Sequence, residues 1–350
     1  MIELGEPVLG KEEKQALCDV IDSGWITMGG RVAAFEKAFA EIHQASEAIA
    51  VTSCTAGLHL CLAALGIGPG DQVLVPALTF VATVNAVLYT GAEPVFVDIE
   101  SEDRPHIALA DAKARCTPNT RAVIVMHYGG YLVDLPAWRS YADRQRLALI
   151  EDAAHAPGVG EVGRWGDVAA FSFFTNKNMT TAEGGMVIAR DVKVRERIRG
   201  MRSHGMTTGT LDRHLGHANS YDVVALGYNY RLDELRAAIG LVQLERLQAW
   251  NTRRRALNRM YRHCLAEEAA EIRIPFDEED ETAAHIMPIL LPEGVSRPEV
   301  MARLRDHGIQ SGMDRNSIQI HKCYLTPLGD EKATYCCATI CRTLAIKADI

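Results

Sequence analysis

The chain has 350 residues, 48% of them hydrophobic and 23% charged, the composition of an ordinary globular protein with room for one large domain and a smaller one. Its formal net charge of −8 argues against a nucleic-acid surface, which needs a clustered basic face. The nine cysteines are odd in number and scattered without a Cys-x-x-Cys pair, so free thiols in a reducing compartment are expected, not a disulfide framework.

The N-terminal residues show neither a basic start nor an apolar signal core, and no apolar run reaches membrane-spanning length. A cytoplasmic protein that binds neither membrane nor nucleic acid is therefore expected. Residues 11–22 and 32–43 repeat apolar side chains at helical spacing, as in Val32, Phe35, Phe39 and Ile42. Short apolar runs then alternate with helical stretches. Strands are predicted over 48–51, 72–75, 94–97, 122–126, 147–150, 168–173 and 185–189, and helices over 56–65, 79–89 and around 138–144. That alternation implies a mostly parallel sheet with helices on both faces. Ligands of such sheets bind at the carboxyl ends of the strands. From 232 to 260 a long amphipathic helix rich in Leu and Arg is predicted, its Arg253, Arg254, Arg255 and Arg259 reading as a solvated face. Residues 284–291 read as a strand and 298–308 as a helix closed by Gly308, so a small α+β domain is expected after the long helix.

The residues with chemistry cluster at the predicted strand ends. The strand through Phe171 runs into a polar loop holding Lys177, and Glu183-Gly184-Gly185 returns it to the next strand. A lysine at a sheet end, where burial lowers its pKa, is suited to form an imine with an aldehyde, although a lone lysine in a turn is more often a surface residue. Upstream, Glu151-Asp152-Ala153-Ala154-His155 follows a strand. An aspartate there can pair with a protonated pyridine nitrogen and keep the ring an electron sink, or serve as a helix N-cap. His155 is placed to hydrogen-bond a ring oxygen. Ser53-Cys54-Thr55-Ala56-Gly57 lies between a strand and a helix, an anion site of hydroxyls and N–H groups, to which Ser172 adds a hydroxyl. Phe80 is suited to stack on an aromatic ring. Together these features fit pyridoxal phosphate.

The sequence resembles the DegT/DnrJ/EryC1/StrS family of sugar aminotransferases. The matching segments are SGW (23–25), SCTAGLHL (53–60), GIGPGDQVLVPALTFVATVNAV (66–87), PVFVDIE (94–100), EDAAHAPG (151–158), GDVAAFSFFTNKNMTTAEGGMV (166–187) and GYNYRLDELRAAIGLVQL (227–244), in the family's order over roughly the first 250 residues. The resemblance implies an α/β fold of the aspartate-aminotransferase type, fold type I of the pyridoxal-phosphate enzymes. A large domain over residues 1–240 would hold a mostly parallel sheet, and 241–350 would form the smaller C-terminal domain.

By position, Lys177 matches the family's Schiff-base lysine and proton shuttle, Asp152 the partner of the pyridine nitrogen, and His155 the ring-oxygen partner. Thr55, Ala56 and Ser172 match phosphate contacts, Phe80 the stacking aromatic, and Asn229 a residue that reaches the phosphate of the neighbouring subunit. The resemblance thus implies a homodimer with shared active sites, glutamate or glutamine as amino donor, and a keto-sugar as acceptor, in particular a nucleotide-linked 3- or 4-keto-deoxysugar. His127 and Tyr128 after a strand, with Glu183 and Arg231 in family motifs, are the expected substrate-side residues. One subfamily that dehydrates sugars carries histidine at the lysine position; lysine at 177 disfavours that reaction.

His204, His214 and His217 lie in a polar loop without acidic or cysteine ligands at a recognisable spacing, so no metal is expected. Near the C-terminus, 336–347 (CCATICRTLAIK) departs from the family's Leu-Pro pair and final helix, and a shortened or altered small domain is expected. The rival readings are another pyridoxal-phosphate reaction on the same scaffold and a non-catalytic regulator that binds the cofactor.

Overall fold

The computed structural model of the protein describes residues 2–3, 5–207 and 220–312. Helices α1 (Lys11–Ser23) and α2 (Gly30–Ile42) lead into a sheet of strands β1 (Ala48–Val51), β2 (Gln72–Pro76), β3 (Glu93–Val97), β4 (Thr120–Met126), β5 (Ala148–Asp152), β6 (Val168–Ser172) and β7 (Gly185–Ala189). Helices α3 (Cys54–Ala64), α4 (Val81–Tyr89), α5 (Leu109–Arg115), α6 (Leu135–Gln145) and α7 (Val192–Met201) connect or follow the strands. Helices α8 (Glu234–Glu268) and α9 (Arg297–Asp306) come after them. The spatial order is β1-β7-β6-β5-β4-β2-β3. Strands β6, β5, β4, β2 and β3 pair in parallel, and β7 runs antiparallel to both of its neighbours. All seven predicted strands exist, most with ends shifted by one or two residues.

Both faces of the sheet are dry, as a mostly parallel sheet requires. Ile49, Val51, Val73, Val75, Ile124, Val168, Ala170 and Val187 face one core with Leu58, Leu60 and Leu62 of α3. On the other face Ala48, Ala50, Ala169, Phe171, Met186 and Ile188 meet Phe35 and Phe39 of α2 and Leu244 and Leu247 of α8. Leu74, Val123, Val125 and Leu149 meet Trp138 and Tyr141 of α6. Helix α3 is apolar all round because it lies sandwiched in the structure, nine of its eleven residues being buried.

The long helix α8 runs unbroken from 234 to 268, about 50 Å at 1.5 Å per residue, and passes through the expected domain boundary at 240. Its first residue ties the start of α2 to α8. The buried Glu234 carboxylate accepts hydrogen bonds from the backbone N–H groups of Gly29, Arg31 and Val32, each at 2.9 Å, which satisfies donors at the start of α2 that no intrahelical partner can reach.

Residues 284–291, expected as a strand, do not form one. Ala284 takes a left-handed φ of 47°, and within that run only Leu290 bridges another segment, at Arg273. The run is apolar, but Pro288 removes one donor and no partner strand lies beside it among the described residues. The helix expected over 298–308 is present as α9, followed by Gly308 at φ 74°. The altered tail at 336–347 and the histidines 214 and 217 lie outside the described residues.

His43, fully buried behind α2, receives a hydrogen bond at Nε2 from the Gly158 N–H (3.1 Å) while Nδ1 faces the Val162 carbonyl (3.1 Å). These partners demand a neutral ring protonated at Nδ1. Burial pushes its pKa down to about 4. Burial, with His127 nearby, pushes His106 down to about 3. Between pH 6.5 and 4 the unfolded chain therefore binds protons that the folded chain refuses, and stability falls with falling pH. The contribution from His43 alone is roughly 3 kcal/mol across that window. Urea denaturation followed by tryptophan fluorescence at pH 7, 5.5 and 4.5 is expected to show a shallower pH slope for His43→Gln than for the native sequence. An unchanged slope would remove His43 as a source.

Candidate active site

Five segments converge at the carboxyl edge of the parallel strands: the ends of β5 and β6, the first turns of α3 and α4, and the loop 173–184. Strand β5 continues two residues past its predicted end, so Asp152 is its last residue and no helix follows for it to cap. Alternation along the strand sends Glu151 and Asp152 to opposite faces.

Asp152 is 3% exposed. Its Oδ2 accepts from the Thr83 hydroxyl at 2.7 Å, and its Oδ1 accepts from the Ala154 N–H at 3.2 Å, with the Cys54 thiol 4.0 Å away. The Cys54 thiol is pushed well up by burial, then by the Asp152 charge, and pulled back by Lys177. The thiol therefore stays protonated. Lys177 itself is half-buried in the loop after β6, its backbone N–H bonded to the Phe174 carbonyl at 2.9 Å.

The loop is held in place by the next residue. Asn178, 1% exposed, donates from Nδ2 to Asn251 Oδ1 of α8 (2.8 Å) and to the Ala283 carbonyl (2.9 Å). Its Oδ1 then accepts from His285 Nδ1 at 2.8 Å. The His285 ring lies 4.4 Å from that of His155, which is 2% exposed. The segment 283–285 is docked through the Ala283 and His285 N–H groups on the carbonyls of Gly130 and Gly129. Those glycines have φ 92° and 66°, and a Cβ on Gly130 would lie 2.8 Å from the His155 carbonyl oxygen. Sequence reasoning passed over Asn178 and His285; the Gly129-Gly130 pair was the available signal for a close approach.

The expected anion site lies at the start of α3. Ser53 caps α3, its hydroxyl accepting from the Ala56 N–H at 3.1 Å, so a phosphate bound at Ala56 shares that donor, whereas half-buried Thr55 offers both amide and hydroxyl. The start of β7 abuts this helix end. A Cβ on Gly185 would fall 2.6 Å from the Ser53 carbonyl carbon and 2.7 Å from the Cys54 nitrogen, so only glycine permits the approach. Ser172 pairs with Gly185 in the sheet and is 7% exposed, its hydroxyl accepting weakly from the Phe174 N–H at 3.4 Å. Phe80 stands at the N-cap of α4 with 53% of its surface exposed.

The expected substrate-side residues divide. His127 is fully buried, its Nε2 3.1 Å from Glu151 and its Nδ1 3.5 Å from the Val133 N–H; Tyr128 is buried against Phe276. Both therefore sit within the fold and not on an open wall. Glu183 is exposed, Arg231 pairs beside the end of β1 at Val51, and Asn229 is exposed in the segment that pairs with Ser203. Among the described residues no group of three or more His, Cys, Asp or Glu is arranged to hold a metal, and no helix is long and apolar enough to cross a membrane.

Comparison with known proteins gives a consistent result. The model of the DegT/DnrJ/EryC1/StrS aminotransferase family matches residues 7–342. The structure is similar to DesV of S. venezuelae, with 32% identity, 96% of this chain and 87% of that chain covered, and a TM-score of 0.85. It is similar to the sugar aminotransferase CalS13 of Micromonospora echinospora at 30% identity, 93% and 89% coverage and a TM-score of 0.83. A third similar structure, a Streptococcus pneumoniae aminotransferase in its PMP form, gives 26% identity, 98% and 92% coverage and a TM-score of 0.88.

Glu151 was passed over by the sequence reading, yet it supports the site from behind. Fully buried, it accepts from Gly166 N–H (2.6 Å) at one oxygen and from Gly163 N–H (3.0 Å) and His127 at the other. Glu151→Ala leaves these groups buried without an acceptor, and a loss of about 3 kcal/mol is expected. Thermal denaturation should show Tm lower by several degrees, with Glu151→Gln intermediate; an unchanged Tm for Glu151→Ala would refute this role.

Proposed function

The chain belongs to the DegT/DnrJ/EryC1/StrS aminotransferase family, and on that footing we propose that it uses pyridoxal phosphate held at Lys177 to move an amino group from glutamate or glutamine to a keto-sugar. The acceptor in this reading is a nucleotide-linked 3- or 4-keto-deoxysugar. The observation that carries it is the placement of buried Asp152, at the end of β5, and half-buried Lys177, in the loop after β6, at the same carboxyl edge of the sheet.

The residues present fit the cofactor. A buried carboxylate held by neutral donors suits a cationic ring nitrogen, the start of α3 suits a phosphate, and the exposed Phe80 ring suits a flat aromatic partner. When bound, pyridoxal phosphate supplies an aldehyde that takes up and returns the amino group, and a protonated ring that draws electrons from the reacting carbon.

Asp152 would hold the proton of the ring nitrogen by accepting its hydrogen bond, and Thr55 with Ser172 would bind the phosphate. His155 donates to the ring oxygen, its own ring packed against His285. Lys177 would hold the cofactor through its Nζ, and its freed amine would take and return the proton of the donor's α-carbon. Asn178 keeps Lys177 at the site by anchoring its loop to α8 and to 283–285.

A homodimer with shared sites belongs to the same reading. The segment leading to Asn229 exposes Val224 and Leu226 at 69% and 78%, an apolar run suited to cover by a second subunit. In that dimer Asn229, exposed at the end of the segment, would reach the partner's phosphate, as its place in the family motif implies.

Two measurements test the proposal. The protein purified with pyridoxal phosphate should show the visible absorption of lysine-bound cofactor, lost in Lys177→Ala and converted to the pyridoxamine form by L-glutamate or L-glutamine. A band that neither donor alters would overturn the transaminase reading. In light scattering, Leu226→Asp is expected to halve the mass of the native particle; a native protein that is already monomeric would refute the dimer.

A further inference from the structure

The carboxylate of Asp152 is oriented by groups to which no role has been assigned. Thr83, in the first turn of α4 and fully buried, gives its only hydroxyl proton to Asp152 Oδ2 at 2.7 Å. Its oxygen also lies 2.7 Å from the hydroxyl of Thr79, which is 1% exposed. With the Thr83 proton committed, Thr79 must donate to Thr83 or to Met126 Sδ, 3.0 Å away. A thioether is the weaker acceptor, so the hydroxyl chain runs Thr79 to Thr83 to Asp152, each member polarising the next. Among the described residues the other oxygen, Oδ1, meets the 3.2 Å amide of Ala154 and the 4.0 Å thiol of Cys54. The two oxygens are thus unequal: one is locked by a short charge-assisted bond, and rotation about the Cβ–Cγ bond is fixed by it.

We propose that Thr83, backed by Thr79, is a positioning residue that keeps Asp152 turned to receive the proton of the cofactor's ring nitrogen. The assignment rests on the pairing of Asp152 with that nitrogen. The donor fixes the plane of the carboxylate by binding one of its two oxygens. Loss of the donor would therefore weaken the hold on a protonated ring without touching the phosphate or the lysine.

The test compares pyridoxal phosphate with its 1-deaza analogue, in which a carbon replaces the ring nitrogen. Dissociation constants are measured by absorbance titration of the full-length apo-protein. Thr83→Val keeps the branched shape and removes the donor. It is expected to weaken pyridoxal phosphate about tenfold, the scale of a hydrogen bond to a charged group, to leave the analogue's affinity unchanged, and to slow the glutamate half-reaction with little change in donor KM. Thr83→Ser should restore the preference for the nitrogen-bearing ring, and Thr79→Val should reduce it by a smaller factor, a second reading should Thr83→Val fail to fold. Equal weakening of both cofactors, or of neither, overturns the proposal. Asp152→Asn separates the two possible failures. If it narrows the preference while Thr83→Val does not, only the role of Thr83 falls. If neither variant narrows it, the pairing of Asp152 with the ring nitrogen falls as well.

Discussion

Two consecutive carboxylates, Glu151 and Asp152, are buried on opposite faces of one strand, and the site depends on the different ways in which each is satisfied. Glu151 is saturated by two backbone amides and an imidazole, so its charge is spent on holding the loop 163–166 and His127. Asp152 is met by a hydroxyl, an amide and a distant thiol, which leaves acceptor capacity pointing into the site. The parallel sheet makes this arrangement available. It buries both faces of β5 and brings the starts of α3 and α4 to the same edge, where helix N-termini also favour negative charge.

The second dependence is on backbone approach. Gly185 lets β7 touch the start of α3, and Gly129-Gly130 lets residues 283–285 come in from beyond α8. Asn178 then joins three parts of the chain through one amide: the lysine loop, the long helix and the 283–285 segment. The position of Lys177 consequently depends on residues more than a hundred positions away. A change in the C-terminal part of the chain that displaced 283–285 would act on the site through Asn178 and His285.

Much of this was legible in the sequence because it lies in local patterns. Each strand announced itself as a short apolar run, and Lys177, Asp152, Ser53 and Thr55 all fall where a strand gives way to a loop or helix. The features missed depend on side chains brought together across the fold. Thr83 reads as one more residue of an apolar helix, and only the topology places it under Asp152. Glu151 shares its motif with Asp152, and the one-residue step that sends it to the other face also turns His127 away from the open site. The strand expected at 284–291 failed for a related reason: its apolar pattern was right, but strand pairing is a non-local property, and these residues make their bonds to a glycine turn instead.

The arrangement around Asp152 also bears on whether the chain catalyses or merely binds. Burying a carboxylate is costly, and replacing a buried charge by apolar groups of similar volume is often neutral or stabilising. A protein that needed only to hold a flat, phosphorylated ligand would do so with the start of α3 and the ring of Phe80. Retaining a buried charge, a two-hydroxyl chain behind it and a lysine within electrostatic reach of the same thiol adds nothing to such holding. Each becomes intelligible if a proton must stay on the ring nitrogen while another is moved by the lysine amine. The stability forgone at Asp152 is in this sense local evidence for transfer chemistry, and Glu151, equally buried yet fully bonded, shows what a purely structural carboxylate looks like one residue away.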